Sequence, residues 1–238
     1  MKKYLIFLLI IFVIFSCKEN KSEKNLQITG FIKGFTKGVI YINKVKDTTL
    51  ITLDTIKING NSHFESALDI SSPEMYYLTI DRGTTNSIDN SLSFFAESGT
   101  INIESSLEFF TSDAKITGSK NQGLYDEYKK VVSQFVDRNL DLIEAKFKAL
   151  QSKNNQELAS IAFKQDEIVK RKYLYTTNFA VNHADYEVAP YVAVSEIYDI
   201  NLKYLDTIQK SMTPKIAKSI YGKQLNQLII DRKKLEQK

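Results

Sequence analysis

The sequence is poor in the residues from which most redox and metal sites are built. Its 238 residues include one cysteine, Cys17, and two histidines, His63 and His183. One cysteine cannot form an internal disulfide or a Cys-x-x-Cys redox pair, and these three side chains cannot complete a zinc finger. Composition therefore excludes these classes of redox and zinc protein.

Excess charge of either sign is also small. The formal net charge is +4, and it falls to about +2 if Lys2 and Lys3 are removed with a leader peptide. The short basic runs at Lys170–Lys172 and Arg232–Lys234 have acidic residues nearby, which is typical of solvated helix faces. We expect no nucleic-acid partner.

Familiar catalytic and cofactor motifs are missing as well. The sequence has no Gly-x-Ser-x-Gly elbow, no glycine-rich phosphate loop, no His-Glu-x-x-His and no Asp-x-Asp-x-Asp-Gly. His63 and His183 are candidate general bases, but no activated nucleophile accompanies them, so we interpret them as surface or cap histidines. We predict no catalytic residue, no cofactor and no metal; a hydrolase with polar groups between two halves of the chain is the weakest alternative.

What the sequence does have is an export signal. Met1–Lys3 is positively charged, and an unbroken apolar run from Leu5 to Phe15 ends at Ser16-Cys17. As a helix, this run would span roughly 17 Å, whereas the hydrocarbon core of a bilayer is about 30 Å thick. Residues 1–16 are therefore predicted to be a signal peptide of the lipoprotein type.

Ile14-Phe15-Ser16-Cys17 resembles the bacterial lipobox. The resemblance implies lipid attachment at Cys17, which becomes the first mature residue and carries diacylglycerol and an acyl chain such as palmitate. Two or three chains exceed what stable membrane anchoring needs. Residues 17–25 are predicted to be a flexible tether, because residues 18–25 have no large apolar side chain. Lys18 stands where an aspartate would favour the inner membrane, so we expect an outer-membrane anchor, facing the periplasm or the cell surface.

Turn residues then divide the chain into two halves. Eight of the nine glycines lie between Gly30 and Gly123, and short β-branched and aromatic runs recur among them. Asn59-Gly60-Asn61 predicts a hairpin turn. We predict an antiparallel β-sandwich or barrel-like domain over residues 26–120. Its strands are expected at Gln27–Lys33, Val39–Asn43, Leu50–Ile58, His63–Leu68, Met75–Asp81, Leu92–Glu97 and Thr100–Glu104.

The apolar period changes after Asn121 to steps of three and four residues, which predicts amphipathic helices. In the first helix these residues are Leu124, Tyr128, Val131, Phe135, Ile143, Phe147 and Leu150. A second helix is expected to begin near Asn155, and Thr213-Pro214 is typical of a helix start. Three to four helices over residues 121–238 complete an α+β chain.

Tyrosines recur in the helical half. Their apolar ring and polar hydroxyl suit either a protein or glycan contact surface or the edge of a core, and helical spacing favours core packing. They are Tyr173, Tyr175, Tyr186, Tyr191, Tyr198 and Tyr204.

Segments of the first half resemble the β-rich domain of unknown function that precedes the thioredoxin-like domain in Gram-negative lipoproteins of the TlpA and ResA type. The resemblance rests on the order of short segments: Ile28–Ile32, Val39–Ile42, Leu53–Thr55, Asn59–Phe64, Pro73–Leu78, Phe94–Ile103 and Ile116–Ser119. It implies a β domain without the thioredoxin domain, because no cysteine follows Cys17. The thiol chemistry of such relatives is therefore not expected here.

Two functions remain open on sequence grounds. The first is a membrane-anchored, non-enzymatic binding or scaffold module of the cell envelope that binds an envelope protein or a glycan. The alternative is an accessory subunit of a thiol-disulfide redox system that docks a separate thioredoxin-like partner, which rests on fold-level analogy alone.

Overall fold

A computed structural model describes residues 24–83 and 87–236. Residues 1–16, Cys17 and most of the proposed tether lie outside the described residues, so the signal peptide and the lipid attachment stay predictions. Asn25, which the sequence places in the tether, is part of the fold. Its side-chain amide exchanges two hydrogen bonds of 2.8 Å with the backbone of Ile70. Its backbone carbonyl accepts a third hydrogen bond, from the backbone N–H of Gly99.

Strands fill the first part of the described chain, and helices fill the second. The strands are β1 Leu26–Lys33, β2 Lys37–Lys46, β3 Thr49–Asn59, β4 His63–Leu68, β5 Glu74–Asp81, β6 Ser91–Ala96, β7 Gly99–Ser106 and β8 Lys115–Thr117. The helices are α1 Lys120–Gln151, α2 Asn155–Asn182, α3 Val188–Glu196, α4 Leu202–Ser211, α5 Pro214–Ala217 and α6 Ile220–Glu236. The predicted α+β class is confirmed.

The helix count within residues 120–236 is six, where three to four were predicted. The difference comes from short segments that have little periodicity of their own. Thr213 caps α5 with Pro214 at its first turn, as predicted, but α5 ends after four residues. Ser219 then starts a new helix by accepting a hydrogen bond from the backbone of Gly222.

The strands form two four-stranded sheets that pack face to face as a sandwich. One sheet has the order β4-β1-β7-β8, and the other has the order β3-β2-β5-β6. Their inner faces share one core, because alternate side chains of each strand point inward. Its fully buried members include Leu26, Ile28, Ile40, Ile42, Leu78, Phe94, Ile101 and Ile103.

Two predictions about strand pairing were wrong. The Asn59-Gly60-Asn61 turn does not close a hairpin, because β3 pairs with β2 and β4 pairs with β1 in the other sheet. The chain crosses between sheets at Gly60, so that Ile58 and Phe64 both enter the shared core. The tight hairpin turn is the one at Asp47, which joins the paired strands β2 and β3. Nor are all strands antiparallel, because β1 and β7 pair in parallel.

Strands β5 and β6 connect the sandwich to the helices. Tyr76 and Phe94 point into the sandwich core, whereas Met75 and Phe95, one position away, are buried in the helical core. This follows from the two-residue period of a strand, which sends neighbouring side chains to opposite faces. The two halves therefore share a buried apolar surface. None of the helices within the described ranges is both long and apolar enough to cross a membrane.

Candidate functional site

The largest structural feature outside the two cores is a helical hairpin formed by α1 and α2, which have 32 and 28 residues. A short loop joins them at Lys153, whose φ of 52° makes the reversal. Asn154 then caps α2 by accepting a hydrogen bond from the backbone of Glu157 at 3.1 Å. Inside the hairpin, Gln165 donates to Asn139 at 3.0 Å.

The hairpin is anchored at one end only. Tyr125 and Tyr128 of α1, and Phe179 and Ala180 of α2, are buried in the helical core. No residue between 133 and 172 belongs to either hydrophobic core. At 1.5 Å per residue, the part of α1 beyond residue 132 extends the hairpin by about 28 Å. We call residues 133–172 the distal hairpin.

A buried polar network fixes the base of the hairpin to the sandwich. Asn121, which is 1% exposed, donates from Nδ2 to the carboxylates of Glu97 at 3.3 Å and Glu187 at 3.1 Å. Its Oδ1 accepts the backbone N–H of Val188 at 2.8 Å. Gln122 adds a second link by accepting the backbone N–H of Phe95 at 2.8 Å. The direction of the hairpin is therefore set by groups from both halves.

One face of the distal hairpin carries an exposed apolar stripe. Its five large side chains are between 36% and 63% exposed, and they follow a four-three-four-three spacing: Val136, Leu140, Ile143, Phe147 and Leu150. This is the heptad spacing with which helices pack against other helices. Soluble domains seldom leave such a row uncovered, and one usually marks an interaction surface.

A groove of about 470 Å³ runs between the two helices of the distal hairpin. Its apolar lining includes Phe135, Leu142, Phe163 and Ile168. Four charged side chains at its rim form no ion pair with a described residue: Arg138, Asp141, Lys164 and Arg171. Unpaired charge at the groove is thus three positive against one negative, because Glu167 pairs with Lys170 at 3.2 Å.

The helix pattern anticipated this face only in part. The spacing analysis placed Ile143, Phe147 and Leu150 on the same apolar face as Leu124 and Phe135. The run that ends at Phe135 and the run that begins at Ile143 lie on different faces of the helix, however, because these two residues are eight positions apart and so lie about 80° apart around the helix axis. Leu124 is buried at the base, while the later run faces outward. The eight-residue gap between Phe135 and Ile143 is therefore the feature of the sequence that indicates a separate, outward-facing apolar stripe.

The candidate histidines occupy the positions expected of surface and cap residues. His63 is exposed on β4, where its ring packs against Phe31 in a tilted arrangement with 4.7 Å between centroids. His183 ends α2, and its Nδ1 lies 2.8 Å from the carbonyl of Phe179. The structure does not bring them together with each other or with a nucleophile. In the described ranges, no three metal-ligating side chains converge.

Most of the predicted tyrosines pack at the edge of the helical core. Tyr173, Tyr175, Tyr186, Tyr191 and Tyr204 are partly buried there, whereas Tyr198 is 57% exposed. Burial raises the pKa of Tyr191 far above its usual value. The hydrogen bond to Asp199 is the main reason that the pKa of Tyr173 rises to about 12.

The basic runs are largely neutralised. Lys170 pairs with Asp166 and Glu167, and Lys172 pairs with Glu196 at 2.8 Å. Arg171 stands apart because it lines the groove without an ion pair. The interpretation of these runs as solvated helix faces therefore fits Lys170 better than Arg171.

Comparison with protein families gives a match over part of the chain. Residues 26–125 match a domain of unknown function, DUF4369. The match covers both sheets and ends in the first turns of α1, so it includes Asn121 and Gln122 but not the distal hairpin. The predicted domain of unknown function is confirmed, and its relation to thioredoxin-like lipoproteins stays a prediction. No curated protein matches the chain.

Proposed function

We propose that this protein is a lipid-anchored, non-enzymatic binding module of the bacterial outer membrane. Cys17 carries the anchor, the sandwich and helical core form a rigid support, and the distal hairpin binds a protein partner. The observation that carries the proposal is the exposed heptad stripe on a hairpin whose base is fixed and whose outer half is uncovered.

The stripe supplies the favourable free energy of binding. Covering apolar surface is worth about 25 cal/mol per Å², and long helices are a common surface for helix-in-groove recognition. A hairpin held at its base also loses little conformational entropy when a partner docks, since its direction is already set. The stripe spans 15 residues from Val136 to Leu150, which matches about four turns of a partner helix.

The groove selects the charge of the partner. None of the five stripe residues lines the groove, so the groove is a second contact surface. A partner segment seated there would pair Arg138, Lys164 and Arg171 with carboxylates beside its apolar side chains. Arginine binds a carboxylate through two parallel hydrogen bonds, which adds orientation to attraction. The partner is therefore expected to be acidic where it meets the groove.

Affinity purification from detergent-solubilised membranes of the native cells tests this function. The double variant Leu140→Lys, Phe147→Lys should lose a stoichiometric envelope partner, because two charges would enter the apolar contact. Phe109→Lys is the matched control, since Phe109 is a 55% exposed aromatic side chain on the sandwich half. Equal recovery of the partner with both proteins would contradict the proposal. A thioredoxin-like protein as the partner would favour the redox-accessory alternative.

The membrane anchor needs its own test. Cys17→Ser removes the only thiol that could receive the lipid, so the variant should leave the membrane fraction and lack the acyl mass on its N-terminal peptide. Mass spectrometry of that peptide from wild-type cells should show an acylated residue 17. An unmodified Cys17, or unchanged membrane fractionation of the variant, would remove the anchoring claim without affecting the hairpin.

A further inference from the structure

A second candidate binding site lies away from the hairpin, where the sandwich meets the helices. The turn after β2, the beginning of β5 and the beginning of α6 enclose a cavity of about 260 Å³, which we call the junction cavity. Its lining includes two carboxylates and three aromatic rings: Asp47, Glu74, Tyr77, Tyr191 and Tyr221.

Glu74 is a buried residue, and only one of its two carboxylate oxygens accepts hydrogen bonds from described residues. The residue is 7% exposed, and both of its hydrogen bonds end on Oε1: Lys44 donates at 3.1 Å and the Tyr76 hydroxyl donates at 3.4 Å. Within the described chain, Oε2 makes no hydrogen bond. Oε2 is not among the fully buried atoms that lack a partner, so solvent in the cavity reaches it. Oε2 is therefore available to a donor that enters the cavity.

Asp47 adds a second negative charge at the mouth. It lies in the β2–β3 turn with a φ of 56°, its side chain is exposed, and it forms no ion pair with a described residue. Lys44 offsets part of the charge of Glu74 from the Oε1 side. The two carboxylates together still leave the cavity with an excess of negative charge.

The aromatic rings form the remaining wall. Tyr191 and Tyr221 pack edge to face with 5.0 Å between centroids, and the Tyr221 hydroxyl accepts the backbone N–H of Met75 at 2.7 Å. Burial raises the pKa of both Tyr191 and Tyr221 far above the usual range, so both phenols stay neutral at physiological pH. Neutral phenol rings attract cations through their faces.

We propose that the junction cavity binds a small organic cation, with a primary ammonium group donating to Glu74 Oε2 beside the tyrosine rings. An ammonium supplies three hydrogen-bond donors and a positive charge, so it can donate to the free oxygen while its charge lies beside the tyrosine rings. The volume suits a compact amine of a few non-hydrogen atoms. This site is independent of the hairpin and of its partner.

Isothermal titration with n-butylammonium chloride, using the full chain, tests the proposal. We expect saturable binding of one equivalent, and at least tenfold weaker binding of n-butanol, the neutral analogue of similar shape. Glu74→Gln should weaken n-butylammonium binding at least tenfold, because the amide keeps the size of the carboxylate but not its charge. Glu65→Gln, which changes an exposed carboxylate on β4, should bind as the wild type does.

A second pair of variants keeps the test decisive if Glu74→Gln folds poorly. Tyr77→Leu removes a partly buried ring, and Asp47→Asn removes the exposed charge while keeping a residue that tolerates positive φ. Each should weaken n-butylammonium binding several-fold without a shift in the thermal unfolding midpoint above a few degrees. Equal affinity for n-butylammonium and n-butanol, or unchanged affinity in both of these variants, would overturn the proposal.

Discussion

Asn121→Ala should be among the most damaging single substitutions at the base of the hairpin. The change removes the two hydrogen bonds that Asn121 donates to Glu97 and Glu187 and the one it accepts from Val188. Glu97 keeps the Ser119 hydroxyl at 2.8 Å as a donor. Glu187, which is 2% exposed, would keep only the Nζ of Lys215, 4.0 Å from its Oε1.

The magnitude follows from these losses. A buried N–H without an acceptor costs about 1–3 kcal/mol, and a lost hydrogen bond to a charged group costs about 1.5–3 kcal/mol. The orphaned Val188 N–H and the Glu187 carboxylate together give about 4 kcal/mol. For a chain of this size, each kcal/mol lowers the thermal midpoint by about 2–4 °C, so the expected decrease is about 8–16 °C.

Urea unfolding followed by circular dichroism measures this loss directly. Asn139→Ala is the matched control, since it removes one neutral hydrogen bond, to Gln165, in the half-exposed seam of the hairpin. The control should cost about 0.5–1.5 kcal/mol. A loss below 1 kcal/mol for Asn121→Ala would refute the idea that this network holds the two halves together.

Three further predictions address the sandwich, the hairpin loop and the tyrosines. Gly30→Ala should cost about 1–3 kcal/mol in urea unfolding, because a Cβ there would come within 2.4 Å of the Phe64 ring. Lys153→Gly should raise the free energy of unfolding by up to about 1 kcal/mol, because its φ of 52° favours glycine; a loss of stability would contradict this. Burial raises the pKa of Tyr125 to about 12 and that of Tyr221 still higher, above the ordinary value of 10. The unfolded state therefore loses these protons first, so the contribution of these tyrosines to stability should be complete below about pH 9.5 and should be lost as the pH rises from 10 to 12. Urea midpoints at successive pH values check this, and Tyr221→Phe should make the fall less steep.

Local patterns predicted the strands well because alternation is a local property. Seven of the strands were expected from runs that the structure confirms with shifts of a few residues at their ends, while the three-residue β8 was not predicted. The division of strands between two sheets was not visible in the sequence. The parallel pairing of Ile28 with Ile101 joins residues 73 positions apart, and no local spacing encodes it.

The candidate site was harder to predict for a different reason. The three-four spacing of the first helix marks apolar residues but does not say whether another element covers them. Phe147 is 63% exposed because the core ends before it, which depends on where the other helices lie. The junction cavity likewise brings Asp47, Glu74 and Tyr221 together from three separate segments.

Site-specific photo-crosslinking in intact cells tests the central claim most directly. A photoreactive amino acid at Phe147 samples the stripe, and the same amino acid at Phe109 samples an exposed aromatic position outside it. The account predicts one protein partner at Phe147, crosslinked through an amphipathic segment, and no such product at Phe109. Equal crosslinking at both positions, or crosslinks from Phe147 to lipid alone, would contradict the role of the hairpin in binding a protein.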